Sequence, residues 1–245
     1  MTVDNYTTGR LARLYDMLNP PDEGTRFYLA LAGTNPLSIL DMGCGTGSLA
    51  VDLAQLGHRV TGADPAGAML EVARHRPGGD RVTWVHSDAT GMPVGPLFDL
   101  AIMTGHVFQV FLSDADVRAA LAGVHAHLCP GGRIAFETRN PSAGTWEHWV
   151  PEKTLKRIFV EGTGQVDFHH QLGAVDGELV SFETYFRFED GEVLVAPSRL
   201  RFMARDQLEA ILIETGFSRI DVFGDWDRSP VGPESPEIIV VAHKA

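Results

Sequence analysis

Cysteine is scarce in this 245-residue chain: there are two, Cys44 and Cys129. One lies inside a glycine-rich loop and the other precedes Pro130, so neither belongs to a disulfide framework, and the chain fits a reducing compartment. Long apolar runs are missing too. No uninterrupted hydrophobic stretch is long enough to span a bilayer. Residues 1–18 carry Asp4, Arg10, Arg13 and Asp16 and lack the continuous apolar segment of a secretory leader. The expectation is a cytoplasmic protein with no membrane partner. Basic charge is the third shortage: 20 Lys and Arg stand against 32 Asp and Glu, for a net charge of −12. A field of that sign repels phosphate backbones. The densest basic stretch, Arg74-His75-Arg76, falls where a helix should end and suits the negative end of its dipole. Nucleic acid is therefore not an expected partner. Metal-ligand spacing is also absent. His169 and His170 are neighbours in a strand pattern and point to opposite faces, which makes them poor joint ligands, so no metal is expected.

What is present is an ordinary apolar content, 44%, set in two rhythms. Tyr6, Leu11, Leu14, Tyr15 and Leu18 recur at helical spacing until Pro20-Pro21 ends the pattern. A second helix starts at Asp22, a fair N-cap, and runs through Phe27, Leu29 and Leu31 to Gly33. Then strands at 37–42, 59–63, 82–86, 98–103 and 132–137 alternate with helices at 48–56, 66–75 and 114–128. Strands apolar on both faces and separated by helices predict a parallel sheet covered on both sides.

The rhythm changes after Pro141. Val166, Phe168, His170 and Leu172 alternate with polar neighbours, as do Val180, Phe182, Thr184, Phe186 and Phe188, and Asp190-Gly191 is a hairpin turn. This predicts a half-buried antiparallel meander. A helix at 206–215, closed by Gly216, resumes the α/β pattern. The last strands, 218–223 and 237–242, are joined without a helix pattern and should be antiparallel. The expected organisation is an α/β body over 1–141 and 204–245. An antiparallel β insertion over 142–203 would serve as a substrate lid or a homodimer contact.

The strongest local signal is Ile39-Leu40-Asp41-Met42-Gly43-Cys44-Gly45-Thr46-Gly47. A strand runs into closely spaced glycines and a helix follows. Glycines permit a tight turn and close approach of a ligand, and the helix start offers unpaired N–H groups. A dinucleotide fingerprint would read G-x-G-x-x-G. Here the spacing is G-x-G-x-G, and Asp41 sits just before it. A carboxylate there repels a pyrophosphate and suits a ligand carrying an ammonium or sulfonium group.

With that loop the chain resembles the class I S-adenosylmethionine-dependent methyltransferases, small-molecule type. The resemblance extends in order along nearly the whole chain outside the insertion. It implies a doubly wound, mostly parallel seven-stranded sheet of order 3-2-1-4-5-7-6 with the last strand antiparallel. It implies that Asp41, Gly43, Cys44, Gly45 and Gly47 hold the cofactor. Asp64 and Pro65, after the second strand, would hold the ribose, since a carboxylate with two acceptor oxygens suits a diol. Met69 would pack on the adenine, with Asp88 and Ala89 reading its amino group. Thr104 and Gly105 would line the pocket, and Cys129-Pro130-Gly131-Gly132 would be the turn before the fifth strand. Plainer roles stand beside these: Asp64 as a helix cap, Asp88 as a turn residue, Met69 as core.

Methyl transfer is an in-line displacement at carbon, in which positioning alone is worth up to ~7–11 kcal/mol. A base helps only where the nucleophile carries a proton that must leave. His106, with Gln109 nearby, is the candidate base or substrate contact, its plainer role being pocket wall. Arg139, with Asn140 beside it, is a candidate for holding a substrate carboxylate or phosphate, its plainer role being an ion pair with Glu137 or a nearby acid. Trp146 and Trp149 would wall the acceptor site or pack between insertion and body, and Asp225-Trp226-Asp227 would rim it or form a turn. Tyr6, Arg10 and Tyr15, on a segment that closes over the cofactor in many relatives, would touch the cofactor carboxylate or the substrate, their plainer role being an amphipathic helix on the body. The expected function is S-adenosylmethionine-dependent methylation of a small molecule. The alternatives are an NAD-dependent oxidoreductase and a non-catalytic cofactor-binding protein on the same fold.

Overall fold

The computed structural model describes residues 8–93, 95 and 97–245, and Tyr6 lies outside them. The body is one seven-stranded sheet built from β1 (Ser38–Met42), β2 (Arg59–Asp64), β3 (Thr83–His86), β4 (Phe98–Met103), β5 (Leu128–Arg139), β10 (Phe217–Phe223) and β11 (Glu237–Lys244). Its order is β10-β11-β5-β4-β1-β2-β3. β11 runs antiparallel to both β5 and β10, and the pairs among β1 to β5 are parallel. This is the expected 3-2-1-4-5-7-6 arrangement.

Strands buried on both faces explain the apolar runs, and all five residues of β1 are buried. Helices α3 (Glu23–Ala32) and α4 (Ser48–Gln55) cover one face, where Phe27, Leu53, Ile102, Ala135 and Ile239 form a core. Helices α6 (Asp114–His127) and α8 (Arg205–Glu214) cover the other, packing Leu121, Val124, Leu212, Phe136 and Val240. Asp22 and Ser113 cap α3 and α6, each accepting from the backbone N–H three residues on. The chain winds in opposite directions from β1, so the carboxyl ends of β1 and β4 flank the crevice where such sheets bind ligands.

Two expectations about the body need correction. β5 begins at Leu128, four residues early, because Cys129-Pro130-Gly131-Gly132 is a bulge inside the strand and not a turn before it. The register with β4 jumps from Phe98–Leu128 to Leu100–Arg133 across it. The N-terminal helix is two single turns, α1 (Gly9–Ala12) and α2 (Tyr15–Leu18). The apolar spacing survives the break: Leu11, Leu14 and Leu18 face the insertion, while Ala12 and Tyr15 face Met69.

The insertion is a four-stranded antiparallel sheet of β6 (Lys156–Val160), β7 (Gly164–Asp176), β8 (Leu179–Phe188) and β9 (Val193–Arg201). A short helix, α7 (Pro151–Thr154), precedes it, and α5 (Gly67–His75) completes the α-helices of the described residues. Val166 pairs with Phe188 and Phe168 with Phe186, so the alternating residues share one buried face, against Leu11 and Leu14. β6 escaped the sequence reading because Phe159, 73% exposed, breaks the apolar alternation of Ile158 and Val160.

Candidate active site

The glycine loop turns at the end of β1 with Gly43, Gly45 and Gly47 at φ +75°, +54° and +76°. The three glycines do different work. A Cβ on Gly43 would lie 2.6 Å from Val107, and one on Gly47 would collide with the Trp84 indole. Gly45 is open: the nearest atom to its Cβ position is a Tyr15 ring carbon at 3.9 Å. The Tyr15 hydroxyl lies 3.5 Å from the Cβ position of Gly105, so this ring spans the two glycines that face the crevice.

Asp64 organises the loop. Its Oδ2 accepts from the Gly45 N–H at 2.8 Å and its Oδ1 from the Ala66 N–H at 2.7 Å. It therefore caps the turn before α5, and each oxygen keeps a lone pair for a ligand. Thr46 donates to Asp16 of α2 at 2.5 Å, and Arg76 bridges Asp16 and the Thr46 carbonyl. The N-terminal segment is thus tied to the loop. Arg10, expected at the cofactor, turns instead to Asp190 and Glu192 of the insertion and lies 3.6 Å above the Phe188 ring.

Beneath the loop lies a buried acidic cluster. Asp41 is 1% exposed, and its Oδ1 has no hydrogen-bond partner among the described residues. Burial, with Asp64 and Glu137 adding to it, raises its pKa to about 7. Glu137, equally buried, accepts from the Tyr28 hydroxyl and from the His106 N–H at 2.8 Å. Burial raises the pKa of both Glu137 and Tyr28. Burial also pushes the Cys44 thiol up.

Across the crevice, His106 holds a positive φ of 62°, a conformation that costs a non-glycine residue about 1–3 kcal/mol. Its ring Nε2 faces Glu237 at 3.0 Å. The Glu137 oxygens serve the Tyr28 hydroxyl and the His106 N–H, and Arg139 turns to other partners as well. Its guanidinium donates to the fully buried Gln109 at 2.7 Å and lies 5.4 Å from the Trp149 ring centre. Asn140 turns away to the carbonyls of Gly232 and Ser235. Trp149 packs on Phe182 and Trp146 on Phe202, while Trp226 packs on Phe27 and Tyr28 inside the body and not on a rim.

Residues 39–132, the span that contains this loop and its acids, match the methyltransferase domain family. That span is a methyltransferase domain, and the fold is that of the class I S-adenosylmethionine-dependent methyltransferases. A glycine/sarcosine N-methyltransferase of Halorhodospira halochloris is 26% identical over 254 residues, covering 98% of this methyltransferase and 89% of the relative. The fold is shared with the CcbJ methyltransferase of Streptomyces caelestis, at TM-score 0.79, 20% identity and coverage of 99% and 98%. It is shared too with S-adenosylmethionine-bound CalS10, an amino pentose methyltransferase of Micromonospora echinaspora, at TM-score 0.70, 21% identity and coverage of 95% and 97%.

The methyltransferase's residues fit its cofactor, S-adenosylmethionine. A buried carboxylate oxygen without a donor is costly. An ammonium such as the cofactor's would give the Asp41 oxygen a donor, and open Gly45 leaves room for close approach. Among the adenine candidates, Met69 is 2% exposed beneath Ala12 and Tyr15. Asp88 is a turn residue: its Oδ1 accepts from Thr90 and Gly91, and those bonds lower its pKa. Ala89 is buried, Pro65 is exposed, and Thr104 is half-buried at the end of β4. Among the described residues no group of three or more His, Cys, Asp or Glu is placed to hold a metal, and no helix is long and apolar enough to cross a membrane.

Sequence reasoning missed Glu237 and His170. Glu237 sits at a strand start with no motif around it. His170 has its Nδ1 3.0 Å from the Thr184 hydroxyl and its ring beside Trp149. Burial, then the charge of Arg139, lowers its pKa to about 4. Its inward parity with Phe168 and Leu172 was the available signal.

Proposed function

We propose that this enzyme transfers the methyl group of S-adenosylmethionine to the amine nitrogen of a small-molecule acceptor. The observation that carries the cofactor reading is the unpartnered buried oxygen of Asp41 next to an open glycine. The amine reading draws on Glu137 and Glu237 around His106, a negative setting that favours a cationic or amine group, and on the full-length glycine/sarcosine N-methyltransferase relative.

When bound, the cofactor supplies an electrophilic methyl group on a sulfonium, and the sulfur keeps the electrons of the broken bond. In this reading Asp41 takes the ammonium, and the backbone of Gly43, Cys44, Gly45, Gly47, Thr104 and Gly105 forms the bed. Asp64 and Pro65 hold the ribose, and Met69, Asp88 and Ala89 hold the adenine. His106 accepts the acceptor's proton. Arg139, between Gln109 and Trp149, anchors an anionic group of the acceptor. The body comprises 1–141 and 204–245, and the insertion 142–203 is a lid over the acceptor, tied to the cofactor loop through the N-terminal segment. Two free cysteines fit a cytoplasmic setting.

The test is incubation with methyl-labelled S-adenosylmethionine and a panel of small amines, including glycine and sarcosine, beside phenols and thiols. Label on an amine is expected. Label confined to oxygen or sulfur acceptors, or transfer to none, contradicts the proposal.

A further inference from the structure

Glu237 opens β11 directly opposite Arg139 of β5 in the antiparallel register. Opposite charges facing across strands ordinarily attract. Here both carboxylate oxygens of Glu237 face Nε2 of His106 instead, at 3.0 and 3.1 Å, and Arg139 bonds Gln109. The Glu237 side chain is 13% exposed and that of His106 22%, so the pair is sheltered from screening. A carboxylate only accepts, so the hydrogen between them belongs to Nε2. A neutral imidazole with its hydrogen on Nε2 carries its lone pair on Nδ1. Among the described residues no protein group bonds that nitrogen.

The backbone fixes the same ring from below. The His106 N–H is held by Glu137, which also takes the Tyr28 hydroxyl, and this keeps the residue in its positive-φ state. Val107, the next residue, packs against Gly43 of the cofactor loop. The charged and titratable groups around His106 are thus Glu237 on the ring and Glu137 on the backbone, with Tyr28 and Asp41 behind Glu137 and Arg139 across from Glu237.

We propose that Glu237 is a positioning residue that locks His106 in the Nε2–H tautomer and leaves Nδ1 as the proton acceptor in methyl transfer. This rests on the proton-acceptor role given to His106 above. As the acceptor nitrogen gains the methyl carbon it loses one proton to Nδ1 and keeps the bonding pair. Nε2 retains its hydrogen, and the dyad ends as an imidazolium beside a carboxylate.

The test needs no acceptor. Long-range ¹H–¹⁵N spectra of histidine-labelled, cofactor-free protein report the tautomer, with His106 assigned through His106→Gln. The neutral ring of the wild type should show the Nε2–H form. Glu237→Leu removes the acceptor and should let the Nδ1–H form grow at least severalfold, while Glu237→Gln, whose amide oxygen still accepts from Nε2, should keep the wild-type form. An Nδ1–H tautomer in the wild type, or an unchanged tautomer ratio in Glu237→Leu, overturns the proposal. Should Glu237→Leu fail to fold, the wild-type tautomer alone decides. The role of His106 is read separately: undiminished turnover in His106→Gln would sink the proton-acceptor reading whatever the tautomer.

Discussion

The Trp84 indole occupies the space that a side chain on Gly47 would need, while the same space at Gly45 is empty apart from Tyr15. Neighbouring glycines of one motif therefore answer to different constraints. Gly43 and Gly47 serve packing against Val107 and Trp84. Gly45 has no such neighbour and leaves space that a ligand could use.

This separation is measurable. Gly47→Ala and Gly43→Ala both combine a positive φ with a collision, and overpacking of that kind costs about 1–3 kcal/mol beyond the backbone strain. Both should lower the thermal midpoint by several degrees. Gly45→Ala meets only the backbone strain, about 1–2 kcal/mol. It should lose S-adenosylhomocysteine affinity by more than tenfold with a smaller drop in midpoint. Equal destabilisation at all three positions would contradict the division.

If Asp41 pairs with the ammonium, cofactor binding is expected to depend on pH. Its folded pKa, about 7, stands above the ordinary 3.8. Between those values the folded cofactor-free protein holds a proton that the unfolded chain has released. The associated stability is complete below 3.8 and is lost as pH rises through about 7. A bound ammonium favours the ionised carboxylate and reverses that preference. Titration with S-adenosylhomocysteine at pH 6.5, in buffers of different ionisation enthalpy, should therefore show net proton release. Asp41→Asn should abolish the release and weaken binding. Proton uptake in the wild type would rule the pairing out.

Much of this was legible in the sequence, for physical reasons. Apolar strands without alternation marked the body sheet because both its faces are buried, helical spacing marked its helices, and period-two alternation marked the half-buried insertion. The helix-free link between β10 and β11 forced the antiparallel end. Asp41 stood out because its charge sits before a glycine turn. The inward side of His170 was legible from its parity, but its place beside Trp149, the Glu237–His106 pair and the Thr46–Asp16–Arg76 tie were not, since each depends on segments far apart in sequence coming together. β6 was hidden by one exposed aromatic, Phe159.

The Asp16 tie predicts a kinetic effect. Asp16 and Arg76 are partly exposed, and such pairs contribute ~0–1 kcal/mol to stability. Asp16→Ala should leave the thermal midpoint nearly unchanged yet speed S-adenosylhomocysteine dissociation several-fold in stopped-flow, because Tyr15 on the same turn covers Gly45. An unaltered off-rate would mean that the segment does not restrain the cofactor.

His170 gives the protein an acid weakness. Its folded pKa, about 4, lies below the ordinary 6.5. As pH falls from about 6.5 towards 4 the unfolded chain takes a proton that the folded chain refuses, so stability declines across that window. His170→Gln keeps a polar group near Thr184 and should flatten the decline in urea unfolding at pH 7, 5.5 and 4.5. The same slope in wild type and variant would show that His170 is not responsible.

The central claim is that the cofactor sits on the Gly43–Gly47 loop with its ammonium at Asp41. A crystal structure with S-adenosylhomocysteine tests it most directly. The account predicts the ammonium within hydrogen-bond distance of Asp41, directly or through one water, and both ribose hydroxyls on Asp64. A ligand bound away from the loop, or one that leaves the Asp41 oxygen without a partner, would contradict it.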